Sequence, residues 1–446
     1  MLDIELPFAL IYFAVVVLAL GAVLLSHVPM WSLGPIALVV LALSVRLLPA
    51  LLLPLGAKYD IDSYRLVADT FLSGRDVYGD PVAGIRHPYL PFWMYWLALS
   101  RLAELSLNIP FVVLVKLPGV IADALIVFFV YRVVLDRWGE GRANQAALVY
   151  ALNPISLLVV AYGGQFDSLP LLLSLIAWRL VDRQKNPILA GAALGLGILV
   201  KSWPALFLPV LLLAIPRWRE RLLLLLSCGV VPLTAMCIYL SLRPGAFMAM
   251  VTNTLGYGSV YGNWGYSAGL LLAVRFLDFS YGLWFAIAAI LAYLFGRWLT
   301  LAAILVAWWL ALRRPLLQGM TLIILALFAF TAGFSVTYLL WLLPLVLLLD
   351  HVHRLRWYLL ACLPFLIATY YFEMYQPLLV LQPLGDARTI LRILSLPAWL
   401  SVLAWLGLMV GRDRNDSLMS AKTHNKPNRS FDTQPLSPLG KDISNG

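Results

Sequence analysis

Thirteen apolar stretches constrain this chain more than any other feature. They lie near residues 8–27, 34–54, 110–135, 143–161, 167–183, 187–201, 203–216, 220–242, 281–312, 316–333, 337–350, 357–374 and 391–410. A helix needs about 20 apolar residues, at 1.5 Å rise each, to cross the hydrocarbon of a bilayer. The expected architecture is an all-α polytopic membrane protein with about thirteen transmembrane helices, residues 1–410 acting as one domain. Composition agrees. The hydrophobic class holds 62% of the residues and the charged class 12%, against roughly 45–50% and about 25% in soluble chains.

The formal net charge is +10. A nucleic-acid binder would gather such charge on one face. Here Lys and Arg fall in short gaps between apolar runs, so no nucleic-acid partner is expected. Arg132, Arg137 and Arg142 share one gap, Arg179, Arg183 and Lys185 another, and Arg217, Arg219 and Arg221 a third. Arg313 with Arg314, Arg354 with Arg356, and Arg412 with Arg414 continue the alternation. Short basic loops face the cytoplasm, which puts the intervening gaps on the outer or lumenal side. Cys228, Cys237 and Cys362 all lie in apolar runs without disulfide or zinc spacing. The N-terminal segment carries Asp3 and Glu5 and no basic residue, so the first run reads as a retained span.

Two segments depart from simple crossings. Ser63 to Leu72 repeats Tyr64, Val67, Ala68 and Phe71 at helical spacing. Pro88 to Leu107 holds Trp93, Tyr95 and Trp96, aromatics suited to the headgroup level. Both are expected as interfacial helices within one outer loop, residues 56–108. A second outer loop, 243–280, is rich in Gly, Tyr, Asn and Trp. The run 281–312 is long for one crossing; charge parity favours one helix that overshoots the membrane surface or breaks near Gly296. Residues 411–446 are polar and expected to be a disordered cytoplasmic tail.

Polar residues at the outer ends of these runs are the candidates for chemistry. Asp60 and Asp62, in Lys58-Tyr59-Asp60-Ile61-Asp62, could serve as a general base, hold a divalent ion, or stand as loop carboxylates with Asp62 capping the next helix. Lys201 sits before Pro204, where an ammonium can bind a lipid-linked phosphate or snorkel to the surface. Gln165 and Asp167 follow Gly163-Gly164, a pair that permits close backbone approach. They could bond a sugar, or Asp167 could cap a helix. Arg275 and His87 are further possible phosphate contacts. Tyr338 and Trp341 are one turn apart, suited either to stacking on a sugar or to an interfacial aromatic belt. Arg46 and Asp123 are ionisable groups inside spans and could pair.

The stretches YDIDSYRLVADTFLSGRDVYG and RHPYLPFWMYWLAL resemble the first outer loop of the GT-C superfamily of polyprenyl-phosphate-sugar-dependent glycosyltransferases. They look like the loop of the first mannosyltransferase of GPI-anchor synthesis and of mycobacterial mannosyltransferases that use polyprenyl-phosphate mannose. NPISLLVVAYGGQFDSLPLLLSLIAW, LAGAALGLGILVKSWPALFLPVLLL and FSVTYLLWLLP are similar to later segments of the same superfamily. The chain departs in an extra N-terminal apolar run and in a Pro88-Tyr89-Leu90-Pro91 spacing where Pro-Pro is usual.

The resemblance implies a GT-C-like bundle in a bacterial cell membrane, its active site on the outer face. It implies inverting transfer of a hexose, with a lean to mannose, from a polyprenyl-phosphate sugar donor to a lipid or glycan acceptor among membrane lipids. Counting back from Gly74, the implied base is Asp60, with Asp62 as helper and Lys201 or Arg275 on the donor phosphate. No cofactor is expected. A divalent metal is possible but not required, because basic residues can neutralise a phosphate leaving group. The alternative class is a multi-span transporter or lipid flippase, which would show two similar halves; no repeat is evident.

Overall fold

The computed structural model describes residues 2–25, 32–53, 55–256, 261–276, 281–374 and 384–424. Packing divides the chain into a unit of residues 1–406 and a second unit of residues 407–446.

Among the described residues all regular elements are helical, with one isolated bridge between Tyr261 and Gly333. In order the helices are α1 (Leu2–Leu25), α2 (Pro35–Leu52), α3 (Lys58–Leu72), α4 (Pro91–Leu107), α5 (Phe111–Trp138) and α6 (Glu140–Ala151). A short α7 (Pro154–Ser156) runs into a π-helical turn, Leu157–Tyr162. Then come α8 (Ser168–Arg179), α9 (Pro187–Val200), α10 (Leu208–Ala214), α11 (Trp218–Leu242), α12 (Phe247–Leu255) and α13 (Gly265–Phe276). The series ends with α14 (Tyr281–Ala311), α15 (Leu316–Phe330), α16 (Leu339–Leu347), α17 (Val352–Met374) and α18 (Leu384–His424).

Eight segments among the described residues are long and apolar enough to cross a membrane: Pro7–Leu25, Pro35–Leu52, Phe111–Trp138, Glu140–Tyr162, Trp218–Leu242, Ala286–Ala311, Val352–Phe372 and Ala387–Gly411. This is an integral membrane protein. Four further expected runs form shorter apolar helical segments, Pro187–Val200, Trp203–Ala214, Leu316–Phe330 and Val336–Leu347. The run at 167–183 is α8 followed by a π-helical turn, Leu180–Gln184. Helix α14 passes through Gly296 without a break. Of the expected tail, residues 425–446 lie outside the described residues; α18 extends to His424.

Close approach of small residues holds α9 on α11. A Cβ at Gly191 would lie 2.3 Å from the Leu224 carbonyl oxygen, and one at Gly195 would lie 2.4 Å from that of Cys228. In lipid, where apolar burial adds little between helices, such contact lets dispersion act. Arg46 and Asp123 do pair: Nε donates to Oδ2 at 2.6 Å, and both are fully buried. Tyr150 donates to the other carboxylate oxygen at 2.6 Å, and the Arg46 guanidinium also reaches the carbonyl of Ala151 at 2.9 Å. Every strong hydrogen-bonding group of the pair is engaged, as a charge taken out of water requires.

Helices α3 and α4 pack together through Tyr64, Val67, Trp93, Met94 and Leu97, joined by Phe111 and Phe166. Above that core Arg65 grips Glu104 with two bonds, at 2.6 and 3.1 Å, and Arg101 ties Glu104 to Asp69. Glu104 also accepts the backbone N–H of Phe111, the first residue of α5. One carboxylate thereby connects both helices of the expected interfacial loop to a membrane span. Helix α3 starts at Lys58, five residues earlier than the apolar spacing indicates, so Asp60 and Asp62 stand inside its first turns.

Candidate active site

The site is assembled by a tight turn. After the π-helical turn at Leu157–Tyr162, Gly164 adopts a positive φ of 84°, which a side chain would strain. The Gly163 carbonyl accepts the N–H of Ala57 at 2.9 Å, immediately before α3. The close approach that this glycine pair permits is therefore made by the chain leading to Asp60. It brings Gln165 against α3, where its Nε2 donates to Asp60 Oδ2 at 2.5 Å. Tyr64, one turn along α3, contacts the Gln165 amide oxygen at 3.5 Å.

Asp60 is half-buried. Burial pushes its carboxyl up to about 6; the Lys201 ammonium pulls it down, the Asp167 charge raises it, and the Gln165 bond lowers it. The group is thus ionised at neutral pH yet far more basic than a solvated aspartate, the compromise a general base needs. Asp62 points elsewhere. It pairs with Lys58 at 2.7 Å, both side chains more than half exposed, a contact worth a few tenths of a kcal/mol. It does not cap α3, whose N-cap is Ala57.

Asp167 is fully buried and carries two bonds, from Lys201 Nζ at 2.7 Å and from the Trp341 indole N–H at 2.8 Å. It holds the N-cap position of α8 but makes no capping bond, because both carboxylate oxygens are engaged elsewhere. Lys201 sits where α9 ends in extended backbone, and Pro204 stands one residue into the 3₁₀ turn Trp203–Phe207. Its ammonium does not snorkel: the side chain is 12% exposed and lies 5.1 and 5.6 Å from the ring centres of Phe166 and Tyr89. Trp341, buried and bonded, is not a belt residue; it stacks on Trp203 at 4.2 Å, and the Tyr338 ring lies 4.3 Å from it.

The structure thus brings Asp60, Gln165, Asp167, Lys201, Tyr338 and Trp341 into one neighbourhood. His87 is adjacent but buried, packed on Tyr78 and Tyr89, with its Nε2 unbonded. Burial pushes its imidazole down to about 3, so it is neutral at physiological pH. Arg275 is half-buried near the end of α13. Spacing alone did not single out Tyr64, Tyr89 or Trp203, although Trp203 stands only two residues beyond Lys201. Among the described residues no three His, Cys, Asp or Glu side chains converge into a metal site.

A cavity of about 620 Å³ opens beside Trp203, Tyr338 and Trp341, between the 3₁₀ turn that follows Lys201 and helix α14. The fold and this polar cluster define an integral membrane protein with a half-buried carboxylate, at the start of α3, close to a buried ion pair. Residues 108–332, just over half of the chain, match the model of Glycosyltransferase family 87, and the chain belongs to that family. It is a glycosyltransferase, with a sugar donor and an acceptor, rather than a transporter or flippase. No curated protein sequence matches the chain. The matched span contains Gln165, Asp167 and Lys201; Asp60 lies before it.

Proposed function

We propose that this protein transfers a hexose, with mannose favoured by the resemblance of its first loop, from a polyprenyl-phosphate sugar to a lipid or glycan acceptor. The transfer takes place at the outer face of a bacterial cell membrane, and Asp60 is the base. The observation that carries the reading is the placement of Asp60. It is half-buried, bonded to Gln165 at 2.5 Å, and within the field of the Lys201–Asp167 pair.

The acceptor hydroxyl gives its proton to the Asp60 carboxylate as its oxygen attacks the anomeric carbon. The bond from that carbon to the phosphate oxygen breaks, and polyprenyl phosphate leaves with the electron pair. Attack opposite the leaving group inverts the anomeric centre. Lys201 offsets charge developing on the phosphate, which requires neutralisation rather than protonation. One carboxylate is enough for this step, unlike the carboxylate pair of glycoside hydrolysis. Gln165 holds Asp60 in position, and Asp167 with Trp341 holds Lys201.

The test is reconstitution of purified protein with polyprenyl-phosphate hexoses and membrane-lipid acceptors, wild type against Asp60→Asn. Transfer by the wild type and a loss of about 10²–10⁴-fold in the variant are expected. Equal rates from two folded proteins would remove Asp60 as the base. Absence of transfer from every lipid-linked donor would remove the donor class.

A further inference from the structure

Helix α14 holds a charge that the mechanism above does not use. Arg297 is the only ionisable side chain other than tyrosine in the sequence of Tyr281–Ala311, and it stands near the middle of that helix. A guanidinium at this depth is costly in lipid and marks a functional site by default. Among the described residues no carboxylate pairs with it. Its contacts are a 3.5 Å bond to the Gly256 carbonyl and the Tyr293 ring, 5.1 Å from its centre.

Arg297 lines the 620 Å³ cavity. The same cavity is lined by Ser202 and Trp203, the two residues after Lys201, and by Trp341, whose indole holds the carboxylate partner of Lys201. The remaining wall is largely apolar, including Leu206, Leu255 and Leu327. Arg275 is not among the lining residues. Gly296 brings α14 against the 331–333 turn: a Cβ there would lie 2.5 Å from that of Ala332. The cavity therefore combines an uncompensated cation, an aromatic shelf shared with the polar site, and apolar walls within the membrane-spanning part of the fold. A guanidinium fits a phosphate through paired N–H donors, and the apolar walls fit an isoprenyl chain.

We propose that Arg297 binds the phosphate of the lipid-linked donor in this cavity, with the first isoprene units along its apolar wall and the sugar towards the Trp203–Trp341 shelf. This rests on the donor class proposed above and adds to Lys201, which offsets charge as the bond breaks, a second cation that spacing did not single out and that holds the phosphate on binding.

Binding is measured on the full chain in nanodiscs with farnesyl phosphate as probe, followed by quenching of the cavity tryptophans, with farnesol and inorganic phosphate as comparisons. Wild type binds farnesyl phosphate; Arg297→Gln weakens it at least tenfold, and Arg297→Lys weakens it less. On the wild-type chain, farnesyl phosphate protects Arg297 from phenylglyoxal in a mass-spectrometric footprint, and farnesol does not; this arm stands even where a variant fails to fold. Unchanged binding by folded Arg297→Gln, or no protection of Arg297, overturns the proposal. Inorganic phosphate binding as tightly as farnesyl phosphate overturns the lipid assignment. Arg297-dependent binding without sugar transfer from any lipid-linked donor would defeat the functional reading and leave the site standing. Transfer with an unchanged donor KM in Arg297→Gln would do the reverse.

Discussion

Gln165 Nε2 donates to Asp60 Oδ2 at 2.5 Å across 105 positions of sequence. The bond favours the ionised carboxylate against a burial that opposes it. With Asp60 as the proposed base, only its ionised form is active, so activity should rise with pH through about 6 and level off above it. Gln165→Leu removes a hydrogen bond that favours the ionised carboxylate, so the limb should move to higher pH. A pH–rate profile of both proteins checks this, and a limb that stays in place would show that Gln165 does not tune the base.

The Lys201–Asp167 pair should behave as one element. Lys201→Met leaves Asp167 buried without its cation, a loss of about 3–5 kcal/mol where burial is complete. Asp167→Asn keeps a hydrogen-bond acceptor for Trp341 and should cost less. The double variant should melt above Lys201→Met while remaining inactive, since the phosphate has lost its ammonium. Thermal melting with a parallel transfer assay measures both outcomes.

Glu104 supports the site from outside it. Glu104→Gln weakens its contacts with Arg65, Arg101 and the start of α5. Partial exposure screens these pairs, so the expected cost is about 1 kcal/mol. The predicted signature is a melting temperature lower by a few degrees, with kcat falling more than KM rises because α3 carries the base. A rise in KM with kcat unchanged would contradict this.

Packing of α9 on α11 should fail at one methyl group. At Gly195 a Cβ would lie 2.4 Å from the Cys228 carbonyl oxygen, and backbone cannot yield as a flexible side chain does. Gly195→Ala should cost about 1–3 kcal/mol, whereas Gly229→Ala, with its nearest contact at 3.9 Å, should melt like wild type. Comparison of the two melting curves tests it.

Much of the membrane architecture follows from residue order, because hydrophobic length and loop charge are local properties that a bilayer reads directly. The thirteen expected crossings are reduced to eight segments long and apolar enough to span a membrane among the described residues, the other runs forming shorter helices. The Arg46–Asp123 pair follows from the cost of isolated charge in lipid. Asp60 could be separated from Asp62 only by resemblance. Partnership was not legible. Asp167 reads as a helix cap in sequence, yet the fold brings Lys201 and Trp341 to it across 34 and 174 positions. Trp341 reads as a belt aromatic until its indole is seen bonded inside the protein. The sequence by itself determined a helical membrane protein with an aspartate leading its first polar loop. Tertiary structure alone decided which carboxylate is buried, which cation neutralises which anion, and which arginine faces a cavity. Those are properties of helix packing, set by side chains far apart in the chain that meet only when glycine-lined contacts close.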